Sequence, residues 1–260
     1  MALITGASSG IGAATAVTLS QEGWQVTLCG RDESALEAVA ADTGGLTLPG
    51  DLLDVSYCER AATATRRRFG RLDGLVLNAG LATAGTAEQT TIEQWQQTLQ
   101  VNLTAPFLMA RAALPALRES RGSVVAVSSI GGLRAAPRSV AYAASKGGLV
   151  LLAQALALDH GPEGIRVNSV CPGWTRSAMS DAEMTRLGAR LGISVEQAYS
   201  RATALVPQRR AARPAEIATA IVWLLSPAAS YVNGATLTVD GGTTIVDAGM
   251  AAYAALPDAE

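Results

Sequence analysis

The chain has 260 residues, of which 49% are hydrophobic and 16% are charged, and its formal net charge is −2. This composition excludes a disordered chain, because it offers ample apolar surface for a core and little charge to keep the chain extended. The basic residues are spread along a slightly acidic chain, which argues against nucleic acid as a partner. The length suits one large α/β domain covering residues 1–260.

Signals for a membrane or for export are weak. The longest apolar stretch, 149–158, is interrupted by Gln154 and is shorter than the roughly 18–20 residues of a membrane span. The N-terminus has no basic segment before its first strand-like run, which argues against a secretory signal. We therefore expect no membrane partner and a cytoplasmic location.

The cysteines give no sign of a disulfide framework or a zinc site. Cys29, Cys58 and Cys171 lack CxxC spacing, and His160 is the one histidine in the chain. A cysteine could pair with His160 as a nucleophile. His160 follows an apolar helical stretch and precedes a Gly-Pro pair, however, which favours a role at a helix C-terminus. We predict no metal site.

Strand-like runs alternate with stretches of helical spacing. The strand-like runs are 1–5, 25–29, 46–49, 74–77, 123–128, 166–170 and 235–239. The helical stretches include 11–22, 33–41, 92–118 and 141–160. This alternation predicts a doubly wound α/β fold with a seven-stranded parallel sheet, and strands that are apolar on both faces predict helices on both sides. One long insertion, at about 178–213, lacks strand character.

The first strand leads directly into a glycine-rich turn, Gly6-Ala7-Ser8-Ser9-Gly10-Ile11-Gly12, and a helical stretch follows. Glycines in such a turn let the backbone approach a pyrophosphate, and the helix N-terminus offers free N–H groups and a favourable dipole. Many βα loops need glycine for their conformation alone. The turn is evidence for a dinucleotide only together with other residues.

The one lysine of the chain lies in an informative position. Of the 20 basic residues 19 are arginine, and Lys146 comes four residues after Tyr142. Positions i and i+4 share one face of a helix, so the ammonium can lie beside the phenol. A positive charge there lowers the pKa of a tyrosine from about 10 and suits it to general acid or base catalysis. The alternative is a surface lysine beside a half-buried tyrosine.

Two further polar residues are candidates for the same site. Ser129 follows a buried strand and can hydrogen-bond a substrate oxygen. Its neighbour Ser128 is a rival, and either serine could serve only to cap the next turn. Asn102 lies inside a helical stretch, where asparagine is a poor helix former. It has either a functional role or a capping role at a bend near Pro106.

Together these residues resemble the motifs of the short-chain dehydrogenase/reductase family over essentially the whole chain. The motifs are Gly6-Gly10-Gly12, Asn78-Ala79-Gly80, Asn102, Ser129, Tyr142 with Lys146, Pro172-Gly173 and Val239-Asp240-Gly241-Gly242. The resemblance implies a single Rossmann-type domain that binds a nicotinamide cofactor and transfers a hydride to or from a carbonyl or secondary alcohol. One departure is Leu77, where the family commonly has a second asparagine. We expect this departure to leave catalysis intact.

The resemblance also implies roles for the matching residues. Tyr142 donates the proton to the carbonyl oxygen, and Ser129 holds that oxygen. Lys146 binds the nicotinamide ribose and lowers the pKa of Tyr142, and Asn102 holds a water that links Lys146 to solvent. Besides Tyr142 and Lys146, cofactor contacts are implied for Gly6, Ser8, Ser9, Gly10, Ile11, Gly12, Arg31, Asp51, Leu52, Asn78, Ala79, Gly80, Pro172, Gly173, Trp174 and Thr175.

The choice between NAD and NADP is made at the end of the second strand. An acidic residue there binds the ribose 2′-hydroxyl and repels a 2′-phosphate, whereas arginine attracts the phosphate. Gly30 stands where relatives that prefer NAD carry aspartate, and Arg31 follows at once, so NADP(H) is favoured. An inward-turned Asp32 carboxylate would weaken that preference and leave NAD(H) as the alternative.

The insertion carries an apolar set on two short helical stretches that could form a lid. This set comprises Met179, Met184, Leu187, Leu191, Ile193, Tyr199, Leu205 and Val206. A lid excludes water and shapes specificity, but the same residues could instead pack in the core or at a subunit interface. The segment 194–207 resembles the lid of acyl-carrier-protein and polyketide ketoreductases and, more loosely, that of 3-hydroxybutyrate dehydrogenases.

These observations predict an NADP(H)-dependent ketoreductase that acts on a 3-oxoacyl-type or polyketide-like carbonyl. The alternatives are an NAD(H)-dependent secondary-alcohol or 3-hydroxy-acid dehydrogenase and a non-catalytic dinucleotide-binding sensor. The resemblance implies a homotetramer paired through the helices 92–118 and 141–160. The tail 245–260 could cover the cleft or reach a neighbouring subunit.

Overall fold

A computed structural model describes residues 1–247 and 249. Over these residues the chain forms one seven-stranded sheet in which all neighbouring strands are parallel. The strands are β1 (Ala2–Thr5), β2 (Val26–Gly30), β3 (Leu46–Pro49), β4 (Gly74–Leu77), β5 (Ser123–Val127), β6 (Arg166–Pro172) and β7 (Thr236–Val239). The predicted strands and the parallel sheet are confirmed, with each boundary within two residues of its prediction.

Helices cover both faces of this sheet. They are α1 (Gly10–Gln21), α2 (Glu33–Thr43), α3 (Val55–Phe69), α4 (Ile92–Leu99), α5 (Ala105–Ser120), α6 (Val140–His160), α7 (Ala178–Leu191), α8 (Val195–Ala202) and α9 (Pro214–Leu225). Successive strand residues point to opposite faces, so Leu3 packs with Met109 and Leu149 in one core while Ile4 packs with Leu19 and Ile221 in the other. The prediction of a doubly wound fold is confirmed.

The strand order, β3-β2-β1-β4-β5-β6-β7, locates the binding crevice. The order reverses between β1 and β4, and open α/β sheets bind ligands at the carboxyl ends of the strands at such a point. The glycine turn follows β1 there, the segment 78–81 (the β4 loop) follows β4, and Ser129 follows β5. The sheet therefore brings the predicted motifs to one edge.

The prediction of one continuous helix over 92–118 is corrected by the structure. A π-helical turn, Gln100–Thr104, separates α4 from α5 and contains Asn102. Such a turn holds one residue more than an α-helical turn and often lies at a functional site. Pro106 lies in the first turn of α5, directly after this π turn, and supplies no N–H to the helix.

The insertion forms two helices, α7 and α8, as predicted. Each begins with a serine capping box, at Ser177 and Ser194. The helices meet through a small core of Met184, Ala198 and Tyr199, which is separate from the two cores of the sheet. The division into domains stays a prediction, and most of the tail 245–260 lies outside the described residues.

Within the described part of the chain, one helical stretch, Val140–Glu163, is long and apolar enough to cross a membrane by length and composition. Within its apolar 18-residue window 44% of the residues are buried inside the fold, and the core helix of a protein without a membrane span passes the same test. The stretch consists of α6 and the turn after it, and α6 packs on the sheet through Leu149 and Ala153.

Candidate active site

The glycine turn brings the backbone of β1 close to the start of α1. Gly6 and Gly10 adopt left-handed φ angles of 64° and 56°, which favour glycine. A Cβ on Gly12 would lie 2.2 Å from the Gly6 carbonyl oxygen, so no side chain fits there. Ser9 caps α1 without a side-chain hydrogen bond, which leaves the first N–H groups of the helix available to a ligand.

Thr5 binds the end of β1 to the end of β4. Its hydroxyl accepts hydrogen bonds from the N–H groups of Asn78 at 2.9 Å and Ala79 at 3.1 Å, and donates one to the Val76 carbonyl at 3.1 Å. The Asn78 amide donates to the carbonyls of Thr5 and Gly6, at 3.0 Å each. The glycine turn and the β4 loop are thus rigidly connected. Asn78 was predicted on the cofactor side, whereas the connecting role of Thr5 was missed.

Ser129, Tyr142 and Lys146 meet at the carboxyl end of β5. The Ser129 hydroxyl accepts a hydrogen bond from the Gly131 N–H at 3.0 Å. A Cβ on Gly131 would lie 3.4 Å from that hydroxyl and 3.3 Å from the Tyr142 ring, so the two side chains border the same space. Lys146 Nζ lies 5.9 Å from the centre of the Tyr142 ring. The rival Ser128 donates its hydroxyl to the Lys146 carbonyl at 2.8 Å, so its proton is used inside the protein. The structure therefore favours Ser129 over Ser128.

Burial sets the ionisation of this group. It raises the pKa of the Tyr142 phenol above its ordinary value, and the hydrogen bond with Ser129 opposes that rise. Burial also lowers the pKa of Lys146 to about 8. Lys146 Nζ donates a hydrogen bond to the Val127 carbonyl at 2.9 Å, and the lowering of the Tyr142 pKa by Lys146 stays a prediction. The phenol is neutral near pH 7 and can act as a proton donor.

Asn102 is fully buried and its amide is hydrogen-bonded on both sides. Oδ1 accepts from the Leu81 N–H at 2.8 Å, and Nδ2 donates to the Leu81 carbonyl at 2.9 Å and to the Ser145 hydroxyl at 3.0 Å. Ser145 in turn donates to the Tyr142 carbonyl at 2.8 Å. With both N–H groups of the amide occupied, a water at Asn102 would have to bind through Oδ1 or the backbone. That predicted water stays a prediction.

The end of β2 is arranged around the start of α2. Arg31 is exposed, and Asp32 is the N-cap of α2, where its carboxylate accepts from the Ala35 N–H at 3.0 Å and the Ser34 hydroxyl at 2.9 Å. These bonds lower the pKa of Asp32. The carboxylate is therefore used by its own helix, as the N-cap preference of aspartate explains.

The segment after β6 joins the site to the insertion. The Gly173 N–H donates to the Val239 carbonyl at 3.1 Å, and the Thr175 hydroxyl donates to the Gly173 carbonyl at 3.1 Å. Trp174 packs against the core of α7 and α8 and lines a cavity of about 340 Å³ beside Asp240. Pro172 through Thr175 thus lie between β7 and the insertion.

Two further predicted cofactor residues, Asp51 and Leu52, follow β3 at the carboxyl edge of the sheet. Asp51 is exposed after β3 and accepts a hydrogen bond from the Leu53 N–H at 3.0 Å, while Leu52 packs against a sheet core. His160 ends α6, as predicted, and its Nδ1 lies 2.9 Å from a Glu163 carboxylate oxygen. Over residues 1–247 and 249, no group of three or more histidine, cysteine or carboxylate side chains could hold a metal ion.

The geometry fits a dinucleotide. The glycine turn offers free N–H groups where a Cβ would clash, which is the environment that a pyrophosphate requires. A Cβ on Gly80 would lie 3.3 Å from both Asn102 Oδ1 and Lys146 Nζ, so glycine keeps open the space between them. The turn, the β4 loop and Lys146 thus form a continuous edge that could hold the cofactor. The role assigned to each residue stays a prediction.

Comparisons with known proteins identify the family. Residues 6–244 match the family model described as enoyl-(acyl carrier protein) reductase. The chain is 40% identical to protein MoaE of Klebsiella aerogenes, over 97% of this chain and 98% of that one. It is 36% identical to 2-(S)-hydroxypropyl-CoM dehydrogenase 3 of Xanthobacter autotrophicus, over 94% and 96%.

A solved structure gives the same answer. A variant of actinorhodin polyketide ketoreductase, solved with NADPH, superposes with a TM-score of 0.88 at 34% identity, over 93% of this chain and 95% of that one. These matches confirm the resemblance that the sequence motifs indicate. The chain belongs to the short-chain dehydrogenase/reductase family of oxidoreductases, which interconvert alcohols and ketones.

Proposed function

We propose that the protein is an NADP(H)-dependent ketoreductase that reduces a 3-oxoacyl-type or polyketide-like carbonyl. The observation that carries the proposal is the meeting of Ser129, Tyr142 and Lys146 beside the glycine turn, at the edge where the strand order reverses. This arrangement supplies an oxygen-binding hydroxyl, a proton donor and a cation at one place.

Each residue of the site has its own role in the proposed reduction. When bound, NADPH supplies the hydride to the carbonyl carbon. The Ser129 hydroxyl holds the carbonyl oxygen, and the neutral Tyr142 phenol gives that oxygen its proton. Lys146 binds the ribose and stabilises the phenolate that remains, and the Asn102 site admits the water through which Tyr142 recovers a proton.

The proposed preference for NADP(H) rests on two neighbours. Arg31 is exposed directly after β2, and a guanidinium binds a 2′-phosphate through charge-assisted hydrogen bonds. The Asp32 carboxylate, which could have opposed this preference, is bound to the N-terminus of α2. The actinorhodin ketoreductase relative was solved with NADPH, which supports the same choice of cofactor.

The proposed substrate class rests on the insertion and on one relative. Met179 and Leu205 are exposed on the insertion, which suits a lid that folds over an apolar ligand. The actinorhodin relative is named for polyketide reduction. The hydroxypropyl-CoM relative is named as a dehydrogenase, which keeps a secondary-alcohol dehydrogenase as the second candidate.

The proposed homotetramer and cytoplasmic location rest on less specific features. Phe107 on α5 and Leu151 and Leu158 on α6 are large apolar side chains exposed on the two helices through which pairing is implied. Such residues suit a helix-to-helix interface between subunits. Light scattering of the purified protein tests the tetramer, and fractionation of cells that make the protein tests the location.

The deciding experiment titrates the purified protein with NADPH and NADH by fluorescence and then offers a 3-oxoacyl thioester, a bicyclic ketone and acetoacetate. We expect tighter binding of NADPH and reduction of the thioester or the bicyclic ketone. Tighter binding of NADH with turnover of acetoacetate would favour the dehydrogenase instead. Binding with no turnover of any carbonyl would favour the non-catalytic sensor.

A further inference from the structure

Ser145 lies in a buried series of hydrogen bonds that connects the β4 loop to α6. Asn102 and Ser145 are both 0% exposed. An amide N–H can only donate, so the Ser145 hydroxyl accepts from Asn102 and its own proton must go to the Tyr142 carbonyl. The direction of each bond is therefore determined, from Leu81 through Asn102 and Ser145 to Tyr142.

This series of hydrogen bonds connects the proposed cofactor edge at one end with the proposed proton donor at the other. Leu81 follows Gly80, which borders the space beside Lys146 Nζ. Ser145 precedes Lys146 and lies one helical turn after Tyr142. A movement of one end relative to the other would change the distance between the cofactor edge and the proton donor.

We propose that Ser145 is a positioning residue that holds Tyr142 and Lys146 in register with the β4 loop. The inference rests on the proposed reductase function. Ser145 is fully buried and acts through Asn102 and the backbone of Tyr142. Loss of its hydroxyl leaves one buried Asn102 N–H without a partner, while both bonds to Leu81 remain.

A purely local role for Ser145 has to be separated from this one. Serines inside helices often donate to a carbonyl three or four residues earlier, which satisfies the hydroxyl and does nothing else. Such a serine affects the stability of the helix alone. A positioning serine affects the rate of hydride transfer in the molecules that remain folded.

The test compares Ser145→Ala with Ser145→Thr, which keeps a hydroxyl, and with Ser123→Ala as a matched control. Ser123 is also buried and donates to the Leu224 carbonyl at 3.2 Å, but it lies at the opposite end of β5. For each variant we would measure kcat, the isotope effect on kcat with cofactor deuterated at C4, the cofactor Kd and urea unfolding.

We expect Ser145→Ala to lower kcat about tenfold and to raise the isotope effect, because hydride transfer becomes slower than product release. The cofactor Kd should stay within about twofold of the wild-type value, because the phosphate-binding turn is untouched. Ser145→Thr should recover most of kcat. Ser123→Ala should lower the urea midpoint without changing kcat or the isotope effect. An unchanged isotope effect in Ser145→Ala would overturn the proposal.

A second measurement needs no turnover. In a double-mutant cycle of urea unfolding, Asn102→Ala and Ser145→Ala should be non-additive, because each removes the same hydrogen bond. Additive losses would show that the two side chains act separately and would overturn the proposal. If the wild-type protein reduced no carbonyl at all, the proposed function would be refuted. The double-mutant cycle would then still show whether Asn102 and Ser145 are coupled.

Discussion

The carboxyl edge of the sheet and the α7–α8 insertion are held by different kinds of contact. At the edge, polar side chains such as Thr5 and Asn102 are buried and hydrogen-bonded to backbone from distant segments. In the insertion, Arg176 pairs with Glu196 at 2.8 Å and stacks on Tyr199, with the charged groups exposed to solvent. Buried networks resist rearrangement, whereas exposed ion pairs break at small cost. We therefore expect the edge to keep a fixed geometry and the insertion, as the proposed lid, to move more easily.

The largest effect should come from the proton donor at the edge. Tyr142→Phe keeps the ring and its packing but removes the proton, so kcat should fall roughly 10³-fold while NADPH binding persists. Lys146→Arg should also lose turnover, because a planar guanidinium does not replace a compact buried ammonium. Steady-state kinetics and fluorescence titration check both variants. Turnover by Tyr142→Phe at the wild-type rate would remove Tyr142 from the mechanism.

The buried lysine should make the stability of the edge depend on pH. The pKa of Lys146 is about 8 in the folded chain, against its ordinary value of 10.5. Below the folded pKa both states hold the proton and the cost of burying the charge is fully present. Between the two values the unfolded chain holds more protons, so the free energy of unfolding rises with pH.

Relative to Lys146→Met, the wild-type protein should therefore gain up to about 3 kcal/mol as the pH rises from about 8 to about 10.5. Urea unfolding of both proteins across this range measures the difference and cancels the titration of shared groups. A difference that does not change with pH would mean that the lysine is solvated.

The cofactor preference should respond to one exposed residue near the edge. Arg31→Asp replaces a phosphate ligand with a repelling charge, so the ratio of the Kd values for NADPH and NADH should change about 100-fold toward NADH. Arg67→Asp, on the exposed last turn of α3, makes the same change of charge and is the control. Isothermal titration measures the affinities of the wild type and both variants for NADPH and NADH. An unchanged ratio in Arg31→Asp would assign the phosphate to another residue.

The smallest effect should come from the insertion. Arg176→Gln removes the pair with Glu196 and the stacking on Tyr199, so KM for the carbonyl should rise a few-fold while the cofactor Kd stays constant. Arg186→Gln breaks an ion pair within α7 and should change neither value. If Arg176→Gln weakened cofactor binding instead, the insertion would belong to the rigid edge.

The sequence predicted the sheet because its signals are local. Buried strands are apolar on both faces, and the glycine turn and the Tyr142–Lys146 spacing are short patterns within single elements. The N-cap role of Asp32 was also readable, because aspartate before a helical stretch is a favoured cap. Whether the Asp32 carboxylate turns inward is not visible in the sequence, and in the structure it binds the Ala35 N–H of its own helix.

Other features of the site depend on contacts between distant segments. The π turn contains Asn102, whose side chain is bound to Leu81 and Ser145 from two distant segments, and no local pattern shows these contacts. The raised pKa of Tyr142 comes from burial, which the spacing of Tyr142 and Lys146 does not measure. One signal for Ser145 was missed: it is a hydroxyl residue in a mostly apolar helix, directly before the one lysine.

The burial of that lysine also gives the protein a built-in reporter. Lys146 is the single lysine of the chain, and it is 4% exposed in the middle of α6. A protease that cuts only after lysine therefore has one site, and cleavage there requires α6 to open. The rate at which two fragments appear would measure the opening of α6, and a ligand that binds this helix would slow it in proportion to its occupancy.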